Sequence, residues 1–488
     1  MEKRKGRNLP VKNSRSAFRL VNGLSDGLPG INIDLYGVYA VIHVYSSHWQ
    51  LMVMEIAKSL SHLERYVEGV YTINRARKPS SHGDVPSYTD ESRAKSVCIW
   101  GKRAPEHRTI VEENGLLYHI QLDNGPALGL YLDQRENRSK VVSLLQQATS
   151  KSADADSAVP PHAPRLLNTF SFTGSFSLVA AKYAMAKTTN VDASELVQLW
   201  AKDNFILNGL DVNDHEFFRK DVFSALVSLY TQGKQYEVVL LDPPTISRVK
   251  VKHAASQSST PTYVPSLSAQ SKTHFSSLDN YNDLVALATP LVAPGGFLIC
   301  FVNTHSLDKE RWRASINEGL ESIIPKMKMK HQEERLNYVR GYLRRRGVKV
   351  KYRNSILAKV KDVCPSESVI REHYSFSLVD QWYQDKRDFT ILEGDEEMGS
   401  YLHGLVLRRN VPSGPMPNVT LPVIKSELLH ESKRGDTVRK SPIKSALRDA
   451  PPLGSTSPSP SPPSMQSSIS APKLSSKKGP WNSKQESL

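Results

Sequence analysis

Three runs that read as strands, each emptying into a distinctive turn, set the tightest limit on what this chain can fold into. The first is Leu166-Leu-Asn-Thr-Phe-Ser-Phe-Thr-Gly-Ser-Phe-Ser177. The second runs from Thr188 to Val191 and ends in Asp192. The third is Tyr236 to Leu241, followed by Asp242-Pro243-Pro244-Thr245. Phe176 to Ala186 is rich in Ala, Val and Leu at helical spacing, and Ser194 to Leu207 reads as a helix stopped by Asn208-Gly209. Leu291-Val-Ala-Pro-Gly-Gly-Phe-Leu-Ile-Cys-Phe-Val302 then reads as a turn feeding a further buried strand. Apolar strands alternating with helices in this way predict a doubly wound α/β sheet.

The residues at the strand exits carry the chemistry. In such a sheet the first strand-to-helix turn lies at the carboxyl edge, where a glycine lets the backbone come close to a ligand, and Gly174 is the residue expected there. The plainer reading is an ordinary turn. An acid ending the second strand can accept hydrogen bonds from both ribose hydroxyls of a nucleoside cofactor, and Asp192 lies close to the ~20 residues expected after the glycine-bearing loop. Asp221 stands at the next edge position, where a carboxylate can accept an adenine amino group or simply cap the helix that follows. In the third turn a double proline fixes its own φ angles and has no N–H to donate. The Asp242-Pro243-Pro244 loop is therefore stiff and offers acceptors to an amino group on a flat base, which makes these three residues the candidate catalytic set. A rigid strand exit without chemistry is the alternative.

These motifs, in this order, point to methyl transfer from S-adenosylmethionine, and they carry a resemblance. Over roughly residues 16 to 410 the chain resembles the bacterial family of large-subunit ribosomal RNA methyltransferases that includes a cytosine-C5 enzyme. The matching segments are Asp26-Gly-Leu-Pro-Gly-Ile-Asn-Ile-Asp34, Gly129-Leu-Tyr-Leu-Asp-Gln-Arg-Glu-Asn-Arg138, the loop from Asn168 to Ser177, Asn204 to Gly209, the Asp-Pro-Pro loop and Tyr401-Leu-His-Gly-Leu405. The resemblance implies a Rossmann-like class I sheet, mostly parallel with an antiparallel last strand, preceded by a small α/β domain. It implies S-adenosyl-L-methionine as cofactor and RNA, ribosomal RNA above all, as partner. The expected cofactor contacts are Gln134, Phe170, Thr173, Gly174, Asp192, Asp221 and Asp242. Arg135 is a candidate for RNA contact, although a turn rich in Asp, Arg and Asn also satisfies its own backbone.

One departure bears on mechanism. Carbon-5 methylation of cytosine needs a thiolate that adds to the ring. Where the family carries that cysteine, this sequence reads Phe301-Val-Asn-Thr-His-Ser306, with Asn303 or Thr304 at the position. Cys300 alternates onto the other side of a strand and is expected in the core. Methylation of a nitrogen needs no such adduct, only an acceptor lone pair aimed at the methyl group and a place for the proton. A fold that has kept RNA binding and lost catalysis is the competing expectation. His305, just past the strand, is a candidate proton relay or an idle loop residue.

Charge agrees with a polyanionic partner: 64 Lys and Arg against 49 Asp and Glu give a formal +15. Basic residues crowd the end of a helical-looking run from Leu307 to about Arg346, where Arg344, Arg345, Arg346, Lys349 and Lys351 are candidate RNA contacts among Tyr338, Tyr342 and Tyr352. A solvated helix face is the plainer account. Three scattered cysteines exclude a disulfide framework, and neither His nor Cys spacing supports a metal site. No apolar run reaches the ~18 residues of a membrane span. A cytoplasmic location is expected, with an organelle left open, as is the oligomeric state, a homodimer included.

The expected organisation is a basic arm (1–15), a small α/β domain (16–105), a methyltransferase domain (106–411) with insertions at about 253–277 and 308–365, and a disordered Pro, Ser and Lys-rich tail (412–488). Only about fifteen residues stand where the family usually places an RNA-binding PUA barrel, so that module is expected to be missing or the sequence incomplete.

Overall fold

The computed structural model describes residues 15–62, 67–76, 95–105, 109–123, 128–150, 163–248, 274–277, 280–303, 308–345, 357, 366–384 and 402–414. Contacts divide the chain after Pro417, and every described residue lies in the first unit. The expected tail lies outside the described residues apart from its first three positions, as do Thr304, His305, Arg346, Lys349 and Lys351.

The chain begins with a five-stranded sheet of β1 (Ala17–Asn22), β2 (Ile31–Tyr36), β3 (Tyr39–Val44), β4 (Gly69–Asn74) and β5 (Ser96–Gly101), paired in that order. Only β3 and β4 run parallel, because helix α1 (Val53–Ser61) crosses over between them. Val53, Ala57 and Leu60, one turn apart, bury the helix against Ile33, Ile42 and Val70. The sequence predicts this helix from Trp49. The structure starts it later, after a 3-10 turn over Ser47–Leu51, and the Trp49 indole N–H donates to the Pro29 carbonyl (2.6 Å).

Strand alternation leaves the other face of the sheet apolar too. Ala17, Tyr36, Val41 and Tyr71 pack on a hairpin of β6 (Thr109–Glu113) and β7 (Leu116–Ile120), and the same core takes in Leu178, Val179 and Phe205 from the helices of the second sheet. Asn114 and Gly115 turn the hairpin with φ of 52° and 76°, the left-handed pair that a tight two-residue turn requires. Helix α2 (Arg135–Ser150) follows.

The second sheet contains β8 (Arg165–Thr169), β9 (Lys187–Asp192), β10 (Glu216–Arg219), β11 (Tyr236–Leu241), β14 (Val292–Asn303), β15 (Phe376–Tyr383) and β16 (Leu402–Arg409) in the order β10-β9-β8-β11-β14-β16-β15. Helices α3 (Ser175–Ala184), α4 (Glu195–Leu207), α5 (Val222–Thr231) and α6 (Tyr281–Ala288) connect the parallel strands. Between β11 and α6 lies a short antiparallel pair, β12 (Ile246–Arg248) and β13 (His274–Ser276). Strand β16 is antiparallel to β14 and β15, so the mostly parallel Rossmann-like sheet with an antiparallel last strand is the fold observed. Tyr236 to Leu241 is buried at every position, as a central parallel strand covered on both faces must be.

Helix α7 (Lys309–Arg345) buries Trp312, Ile316, Ile323, Ile324 and Met327. Beyond Met327 none of its described residues is buried. Helix α8 (Glu367–His373) packs Ile370 on the same cluster. Among the described residues no helix is long and apolar enough to cross a membrane.

Candidate active site

The strand order reverses between β8 and β11, and a cavity of about 820 Å³ opens at the carboxyl ends of β8, β9 and β11. Its floor is the turn after β8. There Phe170 and Phe172 take positive φ angles of 53° and 48°, and Gly174 follows at 76°. Left-handed backbone costs a non-glycine residue roughly 1–2 kcal/mol, so the turn persists only because its surroundings hold it. The Phe172 ring packs between Tyr131 (5.1 Å between centroids) and Trp200 (6.3 Å). The Phe172 N–H donates to Asp192 Oδ2 (3.1 Å), and the Ser171 N–H donates to the Val191 carbonyl (3.0 Å).

Asp192 ends β9 at the cavity wall. Its second oxygen accepts the Ser194 N–H (2.9 Å). Burial pushes its carboxyl above the usual range, opposed by the N–H groups of Ser194, Phe172 and Ala193. Carboxylate oxygens accept more than one bond each, so Asp192 keeps acceptor capacity for a diol. Asp221 also lines the cavity, where its carboxylate caps α5 by accepting the Ser224 N–H (2.9 Å); both sequence readings of this residue are thus compatible with its position. Val222 and Phe223 beside it give that end an apolar wall, and Arg219 and Lys220 edge it.

At the opposite end Asp242, half-buried, leaves β11 with Pro243 and Pro244 behind it. Gln134 Nε2 donates to Asp242 Oδ2 (3.3 Å), while Gln134 Oε1 accepts from Asn137 Nδ2 (2.7 Å), which fixes the amide. Burial, reinforced by the nearby charge of Asp133, pushes Asp242 up to about 7 against the pull of Gln134 and Arg138. The same acids, after burial, push the Tyr131 phenol up to about 12, so it stays neutral at the cavity lip. Asn303 closes this end from β14, and its carbonyl accepts the Thr245 hydroxyl (2.7 Å).

Of the sequence-predicted residues, the cavity brings together Gln134, Phe170, Asp192, Asp221, Asp242, Pro243 and Pro244. Three are corrected. Thr173 is fully buried and donates its hydroxyl to the Gly129 carbonyl (2.6 Å), away from the cavity. Gly174 does not line the cavity either: a Cβ there would stand 3.1 Å from Ala201 Cβ, so the glycine serves the turn and the packing of α3 on α4. Arg135 is buried, its Nε 3.1 Å from Glu113 Oε2 and its guanidinium also donating to the Ala17 carbonyl, which withdraws it from RNA. Arg344 is exposed on α7, far along the helix from its buried part, and Arg345 lies on the same last turn.

Other residues of the site were not singled out by sequence. Tyr131 and Arg138 sit within the matched run Gly129 to Arg138, yet only the structure shows their work. Arg138 is fully buried, donates to Glu113 Oε1 (2.8 Å) and holds the Tyr131 carbonyl (2.9 Å), so it fixes the lip of the cavity. Asn204 and Asn208 explain another matched segment. One turn apart on α4, they stand in for a neighbouring strand along β7: Asn204 Oδ1 accepts the His119 N–H (2.9 Å), and Asn208 accepts from the Leu117 N–H and donates to its carbonyl (2.9 and 2.7 Å). Asn204 also donates to the Thr173 carbonyl (3.0 Å), tying the hairpin to the cavity floor.

Comparison with known proteins agrees with this geometry. Residues 51–260, less than half of the chain, match a family model described as S-adenosylmethionine-dependent methyltransferase. The chain is 31% identical over 287 residues to a ribosomal RNA large subunit methyltransferase I of Aeromonas salmonicida, covering 59% of this chain and 60% of that protein. Its counterpart in Alteromonas mediterranea is 32% identical over 236 residues, covering 48% and 52%. The chain thus spans between half and three-fifths of these relatives' length. Among solved structures, a protein of Streptococcus mutans named as a S-adenosylmethionine-dependent methyltransferase superposes with a TM-score of 0.55 at 20% identity, over 83% of this chain and 78% of that one. SMU.776, named as a methyltransferase and solved with S-adenosylhomocysteine, gives 0.56 at 20% identity over the same shares. At that identity the likeness shows the fold.

Proposed function

We propose that the chain is a S-adenosylmethionine-dependent methyltransferase that modifies a base of RNA, with ribosomal RNA of the large subunit as its substrate. The observation that carries this reading is the pairing of two acids at opposite ends of one cavity: Asp192, shaped to take a ribose diol, and Asp242, on a stiff loop where a reacting base would lie. The residues present fit the cofactor. Asp192 and the Phe170–Phe172 turn would hold its ribose, Asp221, Val222 and Phe223 its adenine, and Gln134, Asp133 and Asp242 its methionine end. Bound there, the group supplies an electrophilic methyl on a sulfonium. The protein's part is alignment, since a near-attack geometry supplies several kcal/mol of the barrier.

The names of the curated relatives support RNA as substrate, as does the excess of 15 positive charges. The division into a small α/β domain over 16–105 and a methyltransferase domain over 106–411 belongs to the same proposal. Calorimetric titration of S-adenosylmethionine into the full chain, followed by transfer of a labelled methyl group to unmodified large-subunit ribosomal RNA, tests it. Micromolar binding and label in RNA are expected. Binding without transfer to any RNA favours a silent RNA-binding protein, and a folded protein that binds no cofactor overturns the reading.

A further inference from the structure

We infer that the atom methylated at this site is a nitrogen of the target base that carries a proton, with Asp242 receiving that proton, and that no ring carbon is attacked. The inference rests on the methyltransferase reading above.

Methylating a pyrimidine carbon requires a nucleophile that first adds to the ring, and among the described residues none lines the cavity. Its wall at the target end consists of Asp133, Gln134, Asp242, the two prolines, Thr245 and Asn303. Cys300 lies three residues before the end of β14, but it is fully buried in the core beneath α6, beside Tyr281. Burial pushes its thiol up, so it stays protonated. Cys98 belongs to the first sheet, where its thiol faces the Trp100 and Lys102 carbonyls (3.5 and 3.9 Å). Cys364 lies outside the described residues. The Thr245 hydroxyl is engaged in donating to the Asn303 carbonyl (2.7 Å).

The loop has the opposite character, suited to a donor. Pro243 and Pro244 have no N–H, so the two residues after the Asp242 carboxylate present carbonyls and no backbone donor. A carboxylate beside two residues without N–H is complementary to an amino or ring N–H. Gln134 donates to Asp242 Oδ2 (3.3 Å), and Asp242 Oδ1 remains as an acceptor for the base. The raised basicity of Asp242 suits it to take a proton near neutrality. In the step, the nitrogen lone pair forms the N–C bond while the methyl carbon's bond to sulfur breaks. That electron pair stays on sulfur, giving a neutral thioether. The surplus proton on nitrogen passes to Asp242 and then to water, which returns the protein unchanged.

The test uses the full chain and two in vitro transcripts of large-subunit ribosomal RNA, one ordinary and one carrying 5-fluorocytidine and 5-fluorouridine. The ordinary RNA is methylated from labelled S-adenosylmethionine, digested and analysed as nucleosides by mass spectrometry. An N-methylated base is expected, together with continued methylation of the fluorinated RNA and no denaturant-stable protein–RNA adduct. Asp242→Asn is expected to lower transfer about 100-fold or more at saturating cofactor, with cofactor binding at pH 8 weakened by about tenfold or more. A 5-methylpyrimidine, or an adduct on the fluorinated RNA, overturns the inference and leaves the methyltransferase reading standing. Absence of label in both RNAs overturns that reading and the inference with it.

Discussion

Lowering the pH from 8 to 6 is expected to weaken S-adenosylmethionine binding about tenfold, about 1.4 kcal/mol. The cause is Asp242, whose carboxyl is pushed up to about 7 by burial and Asp133. A sulfonium beside it binds to the anion, and the anionic fraction falls from about nine-tenths at pH 8 to about one-tenth at pH 6. The uncharged product, S-adenosylhomocysteine, is expected to bind equally at both values, and Asp242→Asn to abolish the slope for the cofactor. The sign on stability is opposite. Between about pH 4 and 7 the folded protein holds a proton that the unfolded chain has released, so the free protein loses stability as pH rises, by at most about 4 kcal/mol. Calorimetry in buffers of different ionisation enthalpy reads both the affinity and the protons released. A cofactor affinity that stays level between pH 6 and 8, or a product affinity that slopes as steeply, refutes the reasoning.

Asp192→Ala removes two charge-assisted hydrogen bonds to a ribose and should weaken cofactor binding about 100-fold, from roughly 3 kcal/mol; a loss under about threefold in a titration speaks against the ribose assignment. Glu113→Ala strands the buried guanidinium groups of Arg135 and Arg138 and should cost about 3–5 kcal/mol. Its thermal melt, if lowered by no more than a surface substitution lowers it, would show that the network is dispensable. Gly129→Ala would put a Cβ 2.4 Å from Trp200 Cζ2 and 2.7 Å from the His119 carbonyl, at φ +115°. It should cost more than Gly209→Ala, whose Cβ meets nothing within 4 Å, and equal urea midpoints for the two would contradict the packing described.

Period and turn chemistry made the parallel strands readable. Tyr236 to Leu241, Asp192 and the capped helix after Ser194 all stand where apolar runs and cap residues put them. What escaped was decided by partners remote in sequence. Arg135 looks like any basic residue of a polar turn, and only Glu113 and the Ala17 carbonyl, brought to it by the hairpin and β1, bury it. Thr173 sits inside a ligand-like motif, yet its hydroxyl answers to Gly129, 44 residues away. Helix α1 starts later than its apolar period predicts, and the Trp49 ring is anchored to Pro29, a contact that period does not encode. Nothing in its residue type marks Phe172 for the left-handed φ by which it shapes the cavity floor.

The core that Tyr36, Val41 and Tyr71 share with Leu178, Val179 and Phe205 has a consequence for synthesis. As the chain leaves the ribosome, the first sheet's apolar face is covered by the β6–β7 hairpin about twenty residues after β5, but the hairpin must itself wait for roughly ninety further residues before α3 and α4 arrive to complete the core, several seconds at ordinary elongation rates. The asparagines on α4 that grip β7 arrive in that same interval. A nascent chain stalled before Phe205 is thus a client for chaperones, and one stalled after it can complete the core around the hairpin.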